Sequence, residues 1–442
     1  MRFHLQKNVM IVLAEHSQIE LRIRQFYDLI TEQIEEESRR TERVPVNNDA
    51  RIWQEAEFLA KQKPIVKLVN SFISEAVTMG ASDIHLRPGE TELRLAFRID
   101  GELHPARSIE KHLHAALVSR IKILASMNIA EHRLPQDGRI LLHINNQDVD
   151  LRVSIMPTPF GENVVIRILN GIKSLRSLEE IGYSGNDLLR IKEMIRKESG
   201  LILVTGPTGS GKSTTLYAML QAIVREGINI VTIEDPIEFH QPQMVQIQLL
   251  ASQGFGFPQT LRHVLRQDPD IIMIGEIRDA ETALLAFEAA LTGHLVLSTL
   301  HTTSACGVVP RLLELGISPQ LLKSALLGVL AQRLVKHNCP HCLQAEVISE
   351  LVQHKLGLKD ASPYRVGKGC KQCDMHGYKG RLAVYELLEP DATLREHFSN
   401  TLTEYQLFKL ASSAGMKSML RYGNDLAKEG KVSLLEVYRA CT

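Results

Sequence analysis

The stretch Gly206-Pro207-Thr208-Gly209-Ser210-Gly211-Lys212-Ser213 has the spacing G-x-x-x-x-G-K-[ST], with Thr214 directly after it. Glycines at these positions let backbone N–H groups close around phosphate oxygens, and a helix starting here adds its partial positive charge. Lys212 is placed to meet β and γ oxygens, and the Ser213 hydroxyl to ligate magnesium. The apolar run 201–204 predicts a strand before the loop and 213–226 a helix after it, the context a phosphate loop requires. A glycine turn that binds nothing is the alternative, and that context argues against it.

Three further polar clusters follow apolar runs: Glu234-Asp235-Pro236-Ile237-Glu238 after 228–233, Gly275-Glu276-Ile277-Arg278-Asp279 after 271–274, and Ser298-Thr299-Leu300-His301-Thr302 after 295–297. Runs this apolar read as buried parallel strands, and open α/β sheets gather ligands at the carboxyl ends of such strands. Singly, each acid reads as a surface or capping residue. Together, beside a phosphate loop, they can orient a water molecule and hold magnesium, which is most of what phosphoryl transfer asks of a protein.

A second kind of chemistry is written in Cys339, Cys342, Cys370 and Cys373, spaced C-x₂-C-x₂₇-C-x₂-C. Two pairs of thiolates suit one tetrahedral zinc ion, and four protein ligands leave no position for water, so the site is structural. Paired disulfides are the alternative, disfavoured in a cytosolic chain.

The elements that must position these groups divide the chain. Residues 1–63 read as an N-terminal helical segment, with apolar residues at helical intervals such as Leu21, Ile23, Phe26, Leu29 and Ile30. Residues 64–171 read as a small α+β domain: a helix over 65–78, then strands over 93–98, 140–143 and 149–154 with turn residues such as Asp100-Gly101 between them. A linker over 172–187 follows. Residues 188–442 form the α/β domain with the phosphate loop, containing the four-cysteine module at 336–378 and C-terminal helices over 390–442.

Composition narrows the function. The 442 residues exceed what one core usually organises. The 51 basic and 51 acidic residues balance, so the whole chain lacks the positive field of a nucleic-acid binder, and no direct nucleic-acid contact is expected. No N-K-x-D motif marks a GTPase, and no lid-like domain marks a small-molecule kinase. No export signal and no membrane-spanning run is evident, which predicts a cytoplasmic protein.

Taken in order, these motifs resemble the secretion ATPase superfamily, the motors of type II secretion and type IV pilus assembly. The likeness covers 65–389: the phosphate loop, an aspartate box at 233–239, a Walker B region at 266–279 with Gly275 where many phosphate-loop enzymes carry an acid, and a histidine box from Thr292-Gly-His294 to Thr302. The small domain adds Ala81-Ser-Asp83-Ile-His85, Arg98-Ile-Asp100-Gly101, Leu134-Pro-Gln-Asp-Gly-Arg139, Arg152-Val-Ser and Phe160-Gly-Glu.

The resemblance implies a RecA-like ATPase domain that binds ATP and magnesium. It implies that Glu234 polarises the attacking water, that Glu276 supports the magnesium shell and that His294 and His301 sense the γ-phosphate; which glutamate is the base stays open. By position it gives Arg152 and Arg167 of the small domain, with Arg262 and Arg266, the role of fingers that reach nucleotide as a ring of six closes. It further implies a homo-hexamer, peripheral to the inner membrane through a platform or docking protein. The cysteine module resembles that of the assembly branch, so pilus retraction or DNA uptake is the alternative. About sixty residues precede the small domain, fewer than relatives use for membrane docking, so a reduced docking mode or another subunit is expected.

Overall fold

The computed structural model describes residues 58–144, 147–170, 176–183, 185–249, 255–356 and 364–441. The expected N-terminal helical segment lies almost wholly outside the described residues, as do 172–175 and 184 of the expected linker. The chain divides into two compact units, Met1–Leu169 and Asn170–Thr442.

Among the described residues, the first unit is one six-stranded sheet covered by two helices. Its strands are β1 (Asp83–Pro88), β2 (Glu92–Ile99), β3 (Glu102–Glu110), β4 (Gln136–Ile144), β5 (Gln147–Thr158) and β6 (Gly161–Asn170), in the order β3-β2-β1-β6-β5-β4. Alternation decides which face is buried: Leu93, Leu95 and Phe97, Leu151, Val153 and Ile155, and Val164, Ile166 and Ile168 all point to the core. The helix Lys63–Thr78 answers with Ile65, Val69, Phe72, Ile73 and Ala76 at helical spacing, and Pro64 sits in its first turn, where no N–H is missed. The helix His114–Leu124 adds Leu117, Val118 and Ile121.

The second unit is built on a seven-stranded sheet, ordered β15-β12-β7-β11-β10-β8-β9. Its strands are β7 (Gly200–Thr205), β8 (Ile230–Glu234), β9 (Val245–Gln248), β10 (Ile271–Ile274), β11 (Leu295–Leu300), β12 (Leu326–Asn338) and, antiparallel at one edge, β15 (Tyr378–Leu388). From β12 to β9 every pairing is parallel. Every residue of β7, β8, β10 and β11 is buried, as strands covered on both faces must be. A two-stranded ribbon of β13 (Leu343–Ala345) and β14 (Arg365–Gly367) lies in the cysteine module, between β12 and β15 in the chain.

Register places the chemistry. Thr205 at the end of β7 is level with Leu300 on β11 and Ala331 on β12, while Ile274 at the end of β10 is level with Ser298 on β11 and Ile233 on β8. The phosphate loop, Glu234, Glu276, His301 and the middle of β12 therefore emerge along one edge of the sheet.

Candidate active site

The phosphate loop turns from β7 through left-handed glycines, φ 146° at Gly206, 80° at Gly209 and 87° at Gly211, a conformation that costs other residues a Cβ clash. Gly211 caps the helix Lys212–Ile223, so the loop closes on a helix N-terminus. Pro207, Thr208 and Gly209 are exposed at the tip, and Ser213 and Thr214 stand half-buried in the first helical turn. Lys212 folds back over the loop, its Nζ 2.9 Å from the Gly206 carbonyl and 3.2 Å from that of Pro207. Burial pulls this ammonium below its ordinary value, while the nearby carboxylates of Glu276 and Glu238 act the other way. The buried Ser210 Oγ finds no hydrogen-bond partner among the described residues. A cradle of N–H groups, a cation and an unpaired hydroxyl fits a phosphate chain.

Glu276 is the acid poised at this crevice. Its side chain is 15% exposed, with one oxygen 3.1 Å from His301 Nε2 and the other paired with the Arg278 guanidinium. Burial alone raises its pKa, but Arg278 and His301 outweigh burial and hold the carboxyl below its ordinary range. It is therefore an ionised carboxylate within electrostatic reach of Lys212. Thr205 Oγ1, which contacts both the N–H and the hydroxyl of Thr302 at 2.8 Å, ties the end of the phosphate-loop strand to the segment carrying His301.

Glu234 sits on the same edge but turns inward. It is only 4% exposed, Tyr217 Oη lies 2.7 Å from both its oxygens, and Thr232 Oγ1 donates at 2.7 Å. Burial raises its pKa, opposed by the donors Thr232, Tyr217 and Gln246. Tyr217, which sequence reasoning missed, thus stands between this carboxylate and the aromatic edge of Phe239.

The two histidines part company. His301 follows β11 and reaches Glu276; His294 precedes β11, its Nδ1 2.9 Å from the Ala289 carbonyl, and its own carbonyl accepts from Gly200 N. A six-residue extended strand separates them by about 20 Å, so His294 stands at the opposite edge of the sheet from the phosphate loop. Of the two, the structure places His301 and not His294 at the phosphate-loop end of β11.

Of the four arginines, Arg262 pairs with Glu281 at 2.7 Å, and Arg266 donates to the Arg262 carbonyl at 3.0 Å and contacts His263 at 2.7 Å. Arg152 and Arg167 belong to the first unit. Arg152 faces Arg139 across the β4–β5 ladder, and Arg167, 66% exposed, has its Nε 3.1 Å from Asp83.

The four cysteines come together in a cluster that could hold a metal ion. Their sulfurs all lie within 4.8 Å of one another, with Cys339–Cys370 and Cys342–Cys373 at 3.9 Å and Cys370–Cys373 at 3.7 Å. A disulfide needs ~2.05 Å, so these are separate thiols. A tetrahedron with bonds of ~2.3 Å has an edge of about 3.8 Å, which matches. Burial opposes ionisation of Cys373, but the N–H groups of Cys370 and Gly377, each 3.2 Å from its sulfur, bring it down to about 7.

A family model described as "Type II/IV secretion system protein" matches residues 59–439. The chain belongs to that family. It is 45% identical over 390 residues to type II secretion system protein E of Pseudomonas aeruginosa, covering 87% of this chain and 78% of that one. It is 43% identical over 385 residues to the type IV pilus assembly ATPase TfpB of Acinetobacter baylyi, covering 86% and 66%. Among solved structures, the pilus retraction motor PilT with bound ADP superposes with a TM-score of 0.56 at 26% identity, covering 83% of this chain and 95% of that one. The resemblance to secretion and pilus-assembly ATPases read from the motifs is borne out, as is the α/β fold class with its four-cysteine insert. No helix among the described residues is long and apolar enough to cross a membrane.

Proposed function

We propose that this chain is the ATP-hydrolysing motor of a type II secretion or type IV pilus assembly machine, acting as a homo-hexamer in the cytoplasm against an inner-membrane platform or docking protein. The observation that carries the reading is the convergence of Lys212, Glu276 and His301 on one sheet edge beside the phosphate loop.

In this reading the loop N–H groups and Lys212 hold the β and γ phosphates, and Glu276 takes the proton of the attacking water, with His301 holding that carboxylate in place. Magnesium, when bound with the nucleotide, neutralises phosphate charge; the Ser213 hydroxyl would ligate it and Glu276 support its shell. Glu234 works behind the site through Tyr217 and Thr232. Arg152, Arg167, Arg262 and Arg266 are cations for a ring in which adjacent copies complete each pocket. Zinc in the four-cysteine site would hold the module together. The domain boundaries carried into this reading are a small arginine-supplying domain over 64–171 and an ATPase domain over 188–442.

Phosphate release measured with ATP and GTP across a dilution series tests the reading. The expected result is turnover with ATP and magnesium that rises per protomer as the protein assembles. No release from ATP at any concentration overturns it.

A further inference from the structure

Sequence reasoning passed over β12, yet this strand forms a wall of the phosphate loop. A Cβ placed on Gly206 would lie 2.5 Å from the Gln332 carbonyl oxygen, and one on Gly211 would lie 3.2 Å from Gln332 Nε2. Gly206 is thus required by the closeness of Gln332 as well as by backbone angle, and at Gly211 the same side chain leaves a tight fit.

Gln332 is completely buried, and three oriented partners hold its amide. Oε1 accepts from Tyr183 Oη at 2.6 Å and from Thr215 Oγ1 at 2.9 Å, and Nε2 donates to the Ser210 carbonyl at 2.7 Å. Tyr183 and Thr215 are themselves buried. Only one orientation of the amide suits this set: a carbonyl can only accept, so it must face the NH₂ group, and the two hydroxyls must face Oε1.

We propose that Gln332 is a positioning residue for nucleotide, aiming the phosphate loop through the Ser210 carbonyl. The peptide between Ser210 and Gly211 is trans, so its C=O and N–H point in opposite directions. With the carbonyl pinned to β12, the Gly211 N–H points away from β12, where it can donate to an anionic ligand. Thr215 fastens the same amide to the helix that follows the loop, one turn beyond Lys212. Tyr183 orients it from the far side: its ring packs edge-on against Tyr385 at 4.8 Å, and Tyr385 packs against Tyr422 at 4.2 Å, whose hydroxyl donates to the Gly182 carbonyl. Loop shape is thereby set by a strand that contributes nothing to the G-x-x-x-x-G-K-[ST] signature. The inference rests on the proposed ATPase reading and adds to it a residue that acts on affinity, through the loop, and not on the chemical step.

The test compares the full-length protein with Gln332→Met, Tyr183→Phe and the double variant. It measures calorimetric affinity for magnesium–ADP, KM and kcat for ATP, and the melting midpoint without nucleotide. Gln332→Met is expected to weaken ADP binding and raise KM by roughly ten-fold or more, as loss of a buried oriented hydrogen bond does, with a smaller change in kcat. Tyr183→Phe is expected to weaken binding by a smaller factor and to add little on top of Gln332→Met, because both act through one amide. Wild-type ADP affinity and KM in Gln332→Met overturn the assignment even if the midpoint falls, since that is the signature of packing alone. If Gln332→Met does not fold, unchanged affinity in Tyr183→Phe overturns it. A wild-type protein that fails to hydrolyse ATP refutes the ATPase reading instead, and ADP calorimetry still decides the role of Gln332.

Discussion

The phenol of Tyr217 sits 2.7 Å from both carboxylate oxygens of Glu234, closing that acid off from the crevice it borders. Glu276, by contrast, is held by Arg278 and His301 within electrostatic reach of Lys212. Two glutamates that read alike in the sequence are therefore in different electrostatic states, one pushed toward protonation by burial and the other kept ionised.

That difference predicts unequal kinetic effects. Glu276→Gln should bind ATP with near-native affinity while its kcat falls by about 10²–10⁴, the usual worth of a general base. Glu234→Gln should retain more activity than Glu276→Gln. Single-turnover hydrolysis alongside nucleotide binding checks both, and the reverse ranking would exchange their roles.

It also predicts a pH signature. The Glu234 carboxyl has a folded-state pKa above its ordinary value of 4.5, chiefly through burial. The folded state then holds a proton that the unfolded chain has lost, so stability contributed by this group is complete below 4.5 and is lost as pH rises through the folded value. The melting midpoint of wild type relative to Glu234→Gln should fall with increasing pH across that window. Scanning calorimetry of both proteins checks this, and a constant difference contradicts it.

The cysteine module should come apart locally. Cys339, Cys342, Cys373 and Cys370 form a small cluster separate from the main hydrophobic core of the second unit. Ile348, Val352 and Tyr364 of the same module join the main core, so a bound metal would serve to tie the two cysteine pairs to each other. Cys342→Ser should lower zinc content and hydrogen-exchange protection over 339–377 while leaving the phosphate-loop helix protected. Unchanged zinc by elemental analysis contradicts the site.

The arginines of the first unit should matter to rate and not to binding. If Arg167 reaches nucleotide in an assembled ring, Arg167→Ala should lower kcat by about 10³-fold or more without weakening ATP binding to the isolated protomer. Assays on the assembled protein check this, and a wild-type kcat removes Arg167 from the site.

Much of this was legible in the sequence because buried parallel strands announce themselves. The runs at 201–204, 271–274 and 295–297 each fall within a strand whose every residue is buried. β12 is less plainly announced, because the apolar run 326–335 is interrupted by Gln332 and Arg333; that polar pair inside a buried strand was the available signal. Tyr183 and Tyr217 carried no signal, since a tyrosine's partner is chosen by tertiary packing. The resemblance gives His294 and His301 one role, whereas the extended strand between them sets the two at opposite ends of β11.

The central claim is that ATP is cleaved at the loop built around Lys212. Steady-state phosphate release by wild type and by Lys212→Ala, with magnesium and at concentrations where the protein assembles, tests it most directly. The account predicts ATP turnover by wild type and only background release by Lys212→Ala, because the γ-phosphate loses its charge-assisted partner. Equal turnover by the two proteins would contradict it.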